Sequence, residues 1–241
     1  MAMHAVMTGL RGALAVLVCT AAARAEVTEH IAKRPYTVQA QPGESLRQAL
    51  NGATPIAVNG KRFHGYTRWN VRWTFRWWRE PSGRCTITEV QTHLRAEVQL
   101  PQLHTATPAQ QAVYDRYLPA LSGHEQGHVQ FGRDAAQAID EGIARLPAAP
   151  DCATLERTAN ALGHRLLREH TEREKAYDQR TGHGATQGAR LERPTGAAQG
   201  TPIDINLIAS GAYPASARGQ FDADFMRLTR PPPGTSTAVP G

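Results

Sequence analysis

The chain has 241 residues, 41% of them hydrophobic, which is enough to bury one sizeable core and leaves room for tails. Its formal net charge is +6, from 27 basic and 21 acidic residues. Two of the basic residues lie within residues 1–25, so the rest of the chain carries 25 basic and 21 acidic residues, a net charge of +4. This small excess argues against a nucleic-acid-binding protein.

Residues 1–25 predict an export signal. Arg11 precedes an apolar run from Ala13 to Val18, and Ala23-Arg24-Ala25 has the small-x-small form that signal peptidases cleave. The run is too short to span a bilayer. We therefore expect cleavage near Ala25, a periplasmic or secreted protein, and no stable membrane insertion afterwards. The alternative for this segment is a buried N-terminal helix.

The next segments predict β-structure. Residues 35–39 are a candidate strand, and Glu44 or Ser45 can begin a short helix that ends at Asn51-Gly52. From Tyr66 onward hydrophobic and polar residues alternate, which is typical of a half-buried strand. A second alternating run follows the turn EPSGR, so the two runs predict a long antiparallel hairpin. One face would carry Trp69, Val71, Trp73, Phe75 and Trp77 from the first run, and Val90, Leu94, Ala96, Val98 and Leu100 from the second.

Three arginines of the first run, Arg68, Arg72 and Arg76, suggest an alternative function, the binding of nucleic acid or another polyanion. Alternation puts them on the opposite face from the tryptophans, so the two residue types cannot interleave around a nucleic acid strand. We therefore interpret this face as a solvated arginine surface over a tryptophan core, and we expect no nucleic acid partner.

Two long helices are predicted in the second half of the domain. Thr107 is placed to cap the first, whose apolar residues recur at helical spacing until Pro147 ends it. Pro119 lacks an amide hydrogen, so we expect a kink or a short break near it. Asp151 can cap the second helix, which we expect to run from Cys152 to about Tyr177.

These elements predict an α+β fold, in which a β-rich N-terminal portion packs on the two long helices. Residues 26–187 form the predicted domain. Residues 188–241 are rich in glycine, proline, alanine and threonine, a composition that buries little surface and predicts a disordered tail. The sequence does not predict an oligomeric state.

The cysteines indicate an oxidising compartment. Cys19 lies in the predicted signal and follows Val18, where a lipoprotein signal has a small residue, so we expect no lipid anchor. Cys85 and Cys152 remain in the domain, and an even pair in an oxidising compartment predicts one disulfide. Two zinc thiolates are the alternative, but neither cysteine has a neighbour at metal-ligand spacing.

The stretch HEQGH lies in the first long helix and indicates a metal site. Residues four apart in a helix share a face, so His124 and His128 can present ring nitrogens to one zinc ion. Glu125 lies about 100° further round the helix axis, so its side chain is beside the metal but is not placed to coordinate it. There it can act as the general base that deprotonates a zinc-activated water.

A third ligand is expected from YDQRTGHG, at the end of the second helix. The second helix itself offers further candidates, although a solvated charged face is their ordinary role: Glu156, His164, Glu169, His170, Glu172 and Glu174. We predict His183, because Gly182 gives the chain freedom to fold back and imidazole suits zinc. Asp178 is then an outer-shell residue that holds a histidine ring, or the alternative ligand. Tyr177 is a candidate oxyanion stabiliser. The competing interpretation is a turn capped by Asp178 and Thr181, with His183 in solvent.

The chain resembles a bacterial domain family described as predicted secreted zinc-dependent proteases, whose biological role is unassigned. The resemblance covers about residues 30 to 185. It rests on the order of the YTV strand, the W-x-V-x-W-x-F strand, Cys85, HEQGH, Asp151-Cys152 and the ending YD-x-x-T-x-HG. It implies that His124, Glu125 and His128 are catalytic-site residues and that Cys85 pairs with Cys152. It marks Asp178 and His183 as functional, without saying which of them binds the metal.

The sequence therefore predicts a secreted or periplasmic metallopeptidase with one zinc ion and a zincin-like site, acting on a peptide or protein substrate. The alternative is a non-catalytic envelope protein whose zinc site is structural or vestigial. A structural site is closed by four protein ligands, whereas a hydrolytic site has three and keeps an open position.

Overall fold

The computed structural model describes residues 24–58, 60–191 and 235–238. The predicted signal peptide lies outside the described residues, apart from Arg24 and Ala25. The chain has an α+β fold, as the sequence predicts, with a four-stranded sheet packed on two long helices. The strand order in this sheet is β1-β6-β5-β8. These strands are β1 (Arg24–Lys33), β5 (Tyr66–Arg79), β6 (Cys85–Gln99) and β8 (Thr235–Ala238).

Strands β5 and β6 form the predicted antiparallel hairpin, with Trp73 opposite Thr92. Val71, Trp73 and Phe75 are fully buried, as the alternation predicts, but Arg72 on the opposite face is only 7% exposed, so the prediction that the arginine face is solvated is wrong at this residue. On the opposite face each of two arginines lies across from a glutamate. Arg68 approaches Glu97 to 3.2 Å and Arg76 approaches Glu89 to 3.6 Å. These pairs offset the positive charge of this face, which weakens the case for a polyanion site.

Two strands of the sheet were not predicted. β1 pairs in parallel with β6, from Arg24 opposite Glu89 to Lys33 opposite Val98. β8 pairs with residues 73–76 of β5 and belongs to the segment 188–241, for which the composition predicts disorder. Residues 192–234 and 239–241 of that segment lie outside the described residues.

Shorter elements cover one end of the long helices. β2 (Tyr36–Gln39) pairs in parallel with β7 (Pro101–Thr105), and β3 (Ala57–Val58) pairs with β4 (Lys61–Arg62). Helix α1 (Leu46–Ala53) begins after Ser45, whose side chain accepts a hydrogen bond from Gln48 N. Such a cap satisfies an N–H that would otherwise lack a partner.

Helix α2 (Pro108–Ala144) carries the HEQGH motif. Thr107 caps it, as predicted, and accepts a hydrogen bond from Gln110 N. The helix is continuous through Pro119, so the short break that we considered is absent. Tyr117 and Leu121 on either side are buried in one apolar cluster, and this packing stabilises the turn despite the missing N–H.

Helix α3 (Cys152–Thr181) is one turn longer than expected. Asp151 caps its start by accepting a hydrogen bond from Thr154 N. Gly182 ends it in the left-handed conformation, which glycine adopts without steric cost. Among the described residues no helix is both long and apolar enough to cross a membrane.

The main core lies between the sheet and the two long helices. Leu94 and Trp73 from the hairpin meet Ile139 of α2 and Leu155 of α3, all fully buried. Gly163 lets α3 approach the hairpin closely, because a Cβ there would lie 2.6 Å from Cζ2 of Trp73. The predicted disulfide is confirmed. It joins Cys85 at the start of β6 to Cys152 at the start of α3, with the Cα atoms 5.1 Å apart.

Candidate metal centre

The HEQGH histidines lie in the middle of α2, on the face that meets the end of α3. His124 is 3% exposed and His128 is 7% exposed. Gly127, between them, allows this approach, because a Cβ there would lie 2.6 Å from Cζ of Tyr177 and would overlap its hydroxyl. The glycine of the motif therefore brings α3 within reach of both imidazoles.

Three donor atoms converge at this contact. Nε2 of His124 lies 3.2 Å from Nε2 of His128, and Oδ1 of Asp178 lies 3.2 Å from the first and 3.1 Å from the second. In a tetrahedral zinc site with bonds of about 2.0 Å, ligand atoms lie about 3.3 Å from one another. The observed triangle matches that spacing. His124, His128 and Asp178 are thus a group that could hold one metal ion.

Each histidine is oriented by a partner on its other ring nitrogen. Nδ1 of His124 is 2.9 Å from Oε1 of Gln187, and Nδ1 of His128 is 2.9 Å from Oε1 of Glu174. Both partners are acceptors, so each Nδ1 carries a proton, and each Nε2 offers a lone pair to a metal ion when the ring is neutral. With Asp178, three acceptors then face one point, and such a cluster needs a cation or a shared proton at its centre.

The electrostatics of the cluster favour a positive charge. Burial lowers the pKa of His128, but hydrogen bonds to Asp178 and Glu174 outweigh it and raise this pKa to about 10. Burial likewise opposes ionisation of Asp178, yet hydrogen bonds from His124, His128 and His183 hold its pKa far below the usual range. Two carboxylates around two imidazoles therefore stabilise a cation at this position.

Asp178, which we predicted as an outer-shell residue or alternative ligand, lies closer to the two histidines than His183 does. Asp178 stands with the two histidines, whereas His183 lies outside the group, with Nδ1 3.3 Å from Oδ2 of Asp178 and a side chain that is 51% exposed. The cause is the turn at the end of α3. Gly182 and His183 are both in the left-handed conformation, so the ring folds back over Asp178 and against Phe63. Which of the two binds a metal is addressed by the first experiment of the Discussion.

Tyr177 packs on the histidines. Its ring stacks on His124, with centroids 5.1 Å apart and an interplanar angle of 17°. Its hydroxyl is shared between the carbonyl oxygen of His124 and Oε1 of Gln187, each at 3.2 Å. In this structure the hydroxyl positions His124, and the oxyanion role remains a prediction.

Glu125 is buried beside the cluster and is 3% exposed. The hydroxyl of Thr67 donates to its Oε2 at 2.7 Å. Its Oε1 lies against Gly65, where a Cβ would overlap the carboxylate. Burial is the main reason that the pKa of Glu125 is raised, opposed by Thr67 and by both histidines.

The family model described as "Bacterial protein of unknown function (DUF922)" matches residues 33–184, more than half of the chain. The chain belongs to this family. No curated protein and no solved structure matches it. The matched DUF922 region contains both cysteines, the HEQGH motif and Asp178, but it ends before Gln187.

The sequence predicted the residues that meet at the centre, but of the residues that orient them it offered only Glu174, as one of several charged residues of the second helix. Glu174 precedes Asp178 by four residues, so both lie on one face of α3, and that spacing could have identified it. Gln187 lies in a short 3-10 turn (Ala185–Gln187) and has no recognisable signal. Gly65 and Thr67, which contact the Glu125 carboxylate, lie at the start of β5. They are far from the motif in sequence, so no local pattern connects them with it.

Proposed function

We propose that this protein is a zinc-dependent peptidase of the bacterial cell envelope. The observation that carries the proposal is the convergence of two Nε2 atoms and one carboxylate oxygen within 3.2 Å, beside a buried glutamate. A glutamate next to the first of two histidines four apart on a helix is the arrangement of metallopeptidases. The disulfide Cys85–Cys152 supports an oxidising compartment such as the envelope.

In this proposal His124, His128 and Asp178 hold the metal. Two imidazoles and a carboxylate suit zinc, and three protein ligands leave a position for water or substrate. When bound, zinc would polarise the scissile carbonyl and acidify a water molecule. Glu174 and Gln187 keep the two rings in the tautomer that binds metal, and His183 fixes the second oxygen of Asp178.

Glu125 is the general base of the proposed reaction. Its carboxylate takes the proton from the attacking water and passes it to the leaving amine. Thr67 holds Oε2 and Gly65 limits the movement of Oε1, so the carboxylate is held in one orientation. The raised pKa brings Glu125 closer to the range in which a group can both accept and return a proton.

A non-catalytic zinc site is the second candidate, and the burial of Glu125 is the observation that favours it. A carboxylate that is 3% exposed and bonded to Thr67 also fits a site at which no substrate is turned over. The two candidates differ in one measurable property: both bind zinc, but only the peptidase hydrolyses peptide bonds.

The experiment is to measure the metal content of the purified protein together with hydrolysis of an unstructured protein substrate. We expect one zinc per chain, loss of hydrolysis on chelation and recovery on adding zinc. Glu125→Gln should retain zinc and lose at least about 100-fold in turnover, because glutamine cannot accept the proton. Glu141→Gln, on the same helix but partly exposed and paired with Arg145, is the matched control and should keep full turnover.

Wild-type turnover in Glu125→Gln would exclude this glutamate as the base. Stoichiometric zinc without hydrolysis of any peptide substrate would instead support the non-catalytic site.

A further inference from the structure

Asp140, on the side of α2 that faces the sheet, is a buried carboxylate outside the metal centre. It is 3% exposed and accepts a hydrogen bond from the Thr92 hydroxyl, with Oδ1 2.8 Å from Oγ1. The backbone N–H of Glu26 also faces this carboxylate and lowers its pKa, against the larger effect of burial, which raises it. Both of these partners are uncharged. A buried carboxylate is ordinarily paired with a cation, so Asp140 needs an explanation.

A second contact fixes the position of Glu26 at Asp140. Arg133 of α2 binds Glu29 of β1, with Nε 2.8 Å from Oε2. From Arg133 to Asp140 the helix advances about 10 Å. From Glu29 back to Glu26 the strand covers about 10 Å. Val27 of β1 lies opposite Thr92, which binds Asp140, so the strand runs along the helix in the opposite direction and places Glu26 beside Asp140.

Glu26 directly follows Ala25, the last residue of the small-x-small segment Ala23-Arg24-Ala25. We propose that the chain is processed between Ala25 and Glu26, and that the new α-ammonium group of Glu26 is the ion-pair partner of Asp140. The step is hydrolysis of one peptide bond by a signal peptidase. Water adds across the bond, Ala25 takes the carboxylate, and the amine of Glu26 takes the proton.

Processing changes the chemistry of this contact and leaves its geometry in place. Before cleavage the nitrogen is a neutral amide. Afterwards it is a cation, so its contact with the carboxylate becomes an ion pair between two full charges. The charged groups that act on Asp140 most strongly are the acidic side chains of Glu141 and Glu26, which disfavour its ionisation. The ammonium group opposes their effect.

The pair would tie β1 to the helix that carries the metal centre only in the mature protein. An unprocessed precursor lacks the pair, so its edge strand is held less firmly and the chain unfolds more readily for export. This inference rests on the proposed export and is independent of metal binding and peptidase activity.

The first test is the intact mass of the full chain exported by a bacterium with its own residues 1–25. We expect a mature protein that begins at Glu26 with a free amine. A mature chain that begins at another residue, or a mass lower by one water from a cyclised and uncharged Glu26, would overturn the proposal.

The second test compares two forms that both extend to Gly241, one beginning at Glu26 and one at Arg24. At pH 7 we expect the Glu26 form to melt about 2–4 °C higher. Asp140→Asn in both forms should abolish that difference, since asparagine cannot pair with the ammonium. Equal melting temperatures of the two native forms at pH 7 would overturn the proposal.

The pH dependence of the two native forms gives a readout that does not depend on the variant. An α-amino group titrates at about 7.7–8.0 when unpaired, and the ion pair raises its pKa in the folded state. The extra stability is therefore fully present at pH 7 and is lost as the pH rises through the raised value. A difference that persists unchanged at pH 11 would contradict an ionic origin.

Discussion

Two of the contacts that helix α3 makes are of the same kind, with different results. Near its middle, Gly163 packs against Trp73 in the dry core. Near its end, Tyr177 packs against Gly127 of α2 in the metal centre. In each case a glycine lets an aromatic ring approach a helix backbone. The first contact fixes how the layers pack, and the second fixes where two imidazoles and a carboxylate meet.

The core contact and the metal-centre contact of α3 tolerate different kinds of change. At the core end almost any well-packed apolar set would serve, because hydrophobic packing has no directional requirement. At the site end three atoms must stay within a few tenths of an ångström of a metal-binding triangle, so each ring has a hydrogen-bonding partner. Changes at the core end should therefore alter stability, and changes at the site end should alter metal affinity.

The largest effect is expected from removing a ligand. Asp178→Ala should weaken zinc binding by about 1,000-fold or more, because Oδ1 is one of three donor atoms. His183→Ala should cost about 10- to 100-fold, since in the structure His183 holds the other oxygen of Asp178. Competition titration with a chelator measures both affinities. If His183→Ala lowered the zinc affinity more than Asp178→Ala, His183 would be the third ligand and Asp178 its hydrogen-bonding partner.

The next effect belongs to the core end. Cys85→Ser together with Cys152→Ser removes a cross-link between residues 67 apart, which should lower the free energy of unfolding by about 4 kcal/mol. Denaturant titration measures this loss. The zinc affinity of the folded protein should stay within about twofold of wild type, because the disulfide lies at the opposite end of α3 from Asp178. A much larger drop in affinity would show that the two ends are coupled.

The contrast between the two ends also explains what the sequence can predict. The hairpin and the helix caps at Thr107 and Asp151 follow from local periodicity and capping chemistry, and the structure contains them. β1 was missed because most of its residues are exposed, so its sequence does not alternate between apolar and polar residues. Which of Asp178 and His183 lies beside the two histidines depends on the left-handed turn at Gly182, and hydrophobic periodicity does not predict such a turn. Hydrophobic periodicity therefore predicts helices and strands well, whereas the conformation of one turn determines which side chain reaches the two histidines.

The smallest effects, and the most direct comparison, come from adding one methyl group at each glycine contact. Gly163→Ala places a Cβ 2.6 Å from a fully buried indole that cannot move aside. We expect a loss of about 1–3 kcal/mol in the free energy of unfolding and little change in zinc affinity. Gly127→Ala displaces Tyr177 and, through it, His124. We expect about a tenfold loss of zinc affinity, as for other outer-shell changes.

Gly123→Ala is the control for both variants, since nothing lies within 4 Å of a Cβ at that position, and it shares helix α2 with Gly127. Alanine is a better helix former than glycine, so this variant should gain up to about 1 kcal/mol in stability and bind zinc as wild type does. Thermal unfolding and zinc titration of the three variants then separate the two ends of α3. If Gly163→Ala lowered zinc affinity as much as Gly127→Ala, packing in the core would also determine the geometry of the metal centre. The two contacts would then not act independently.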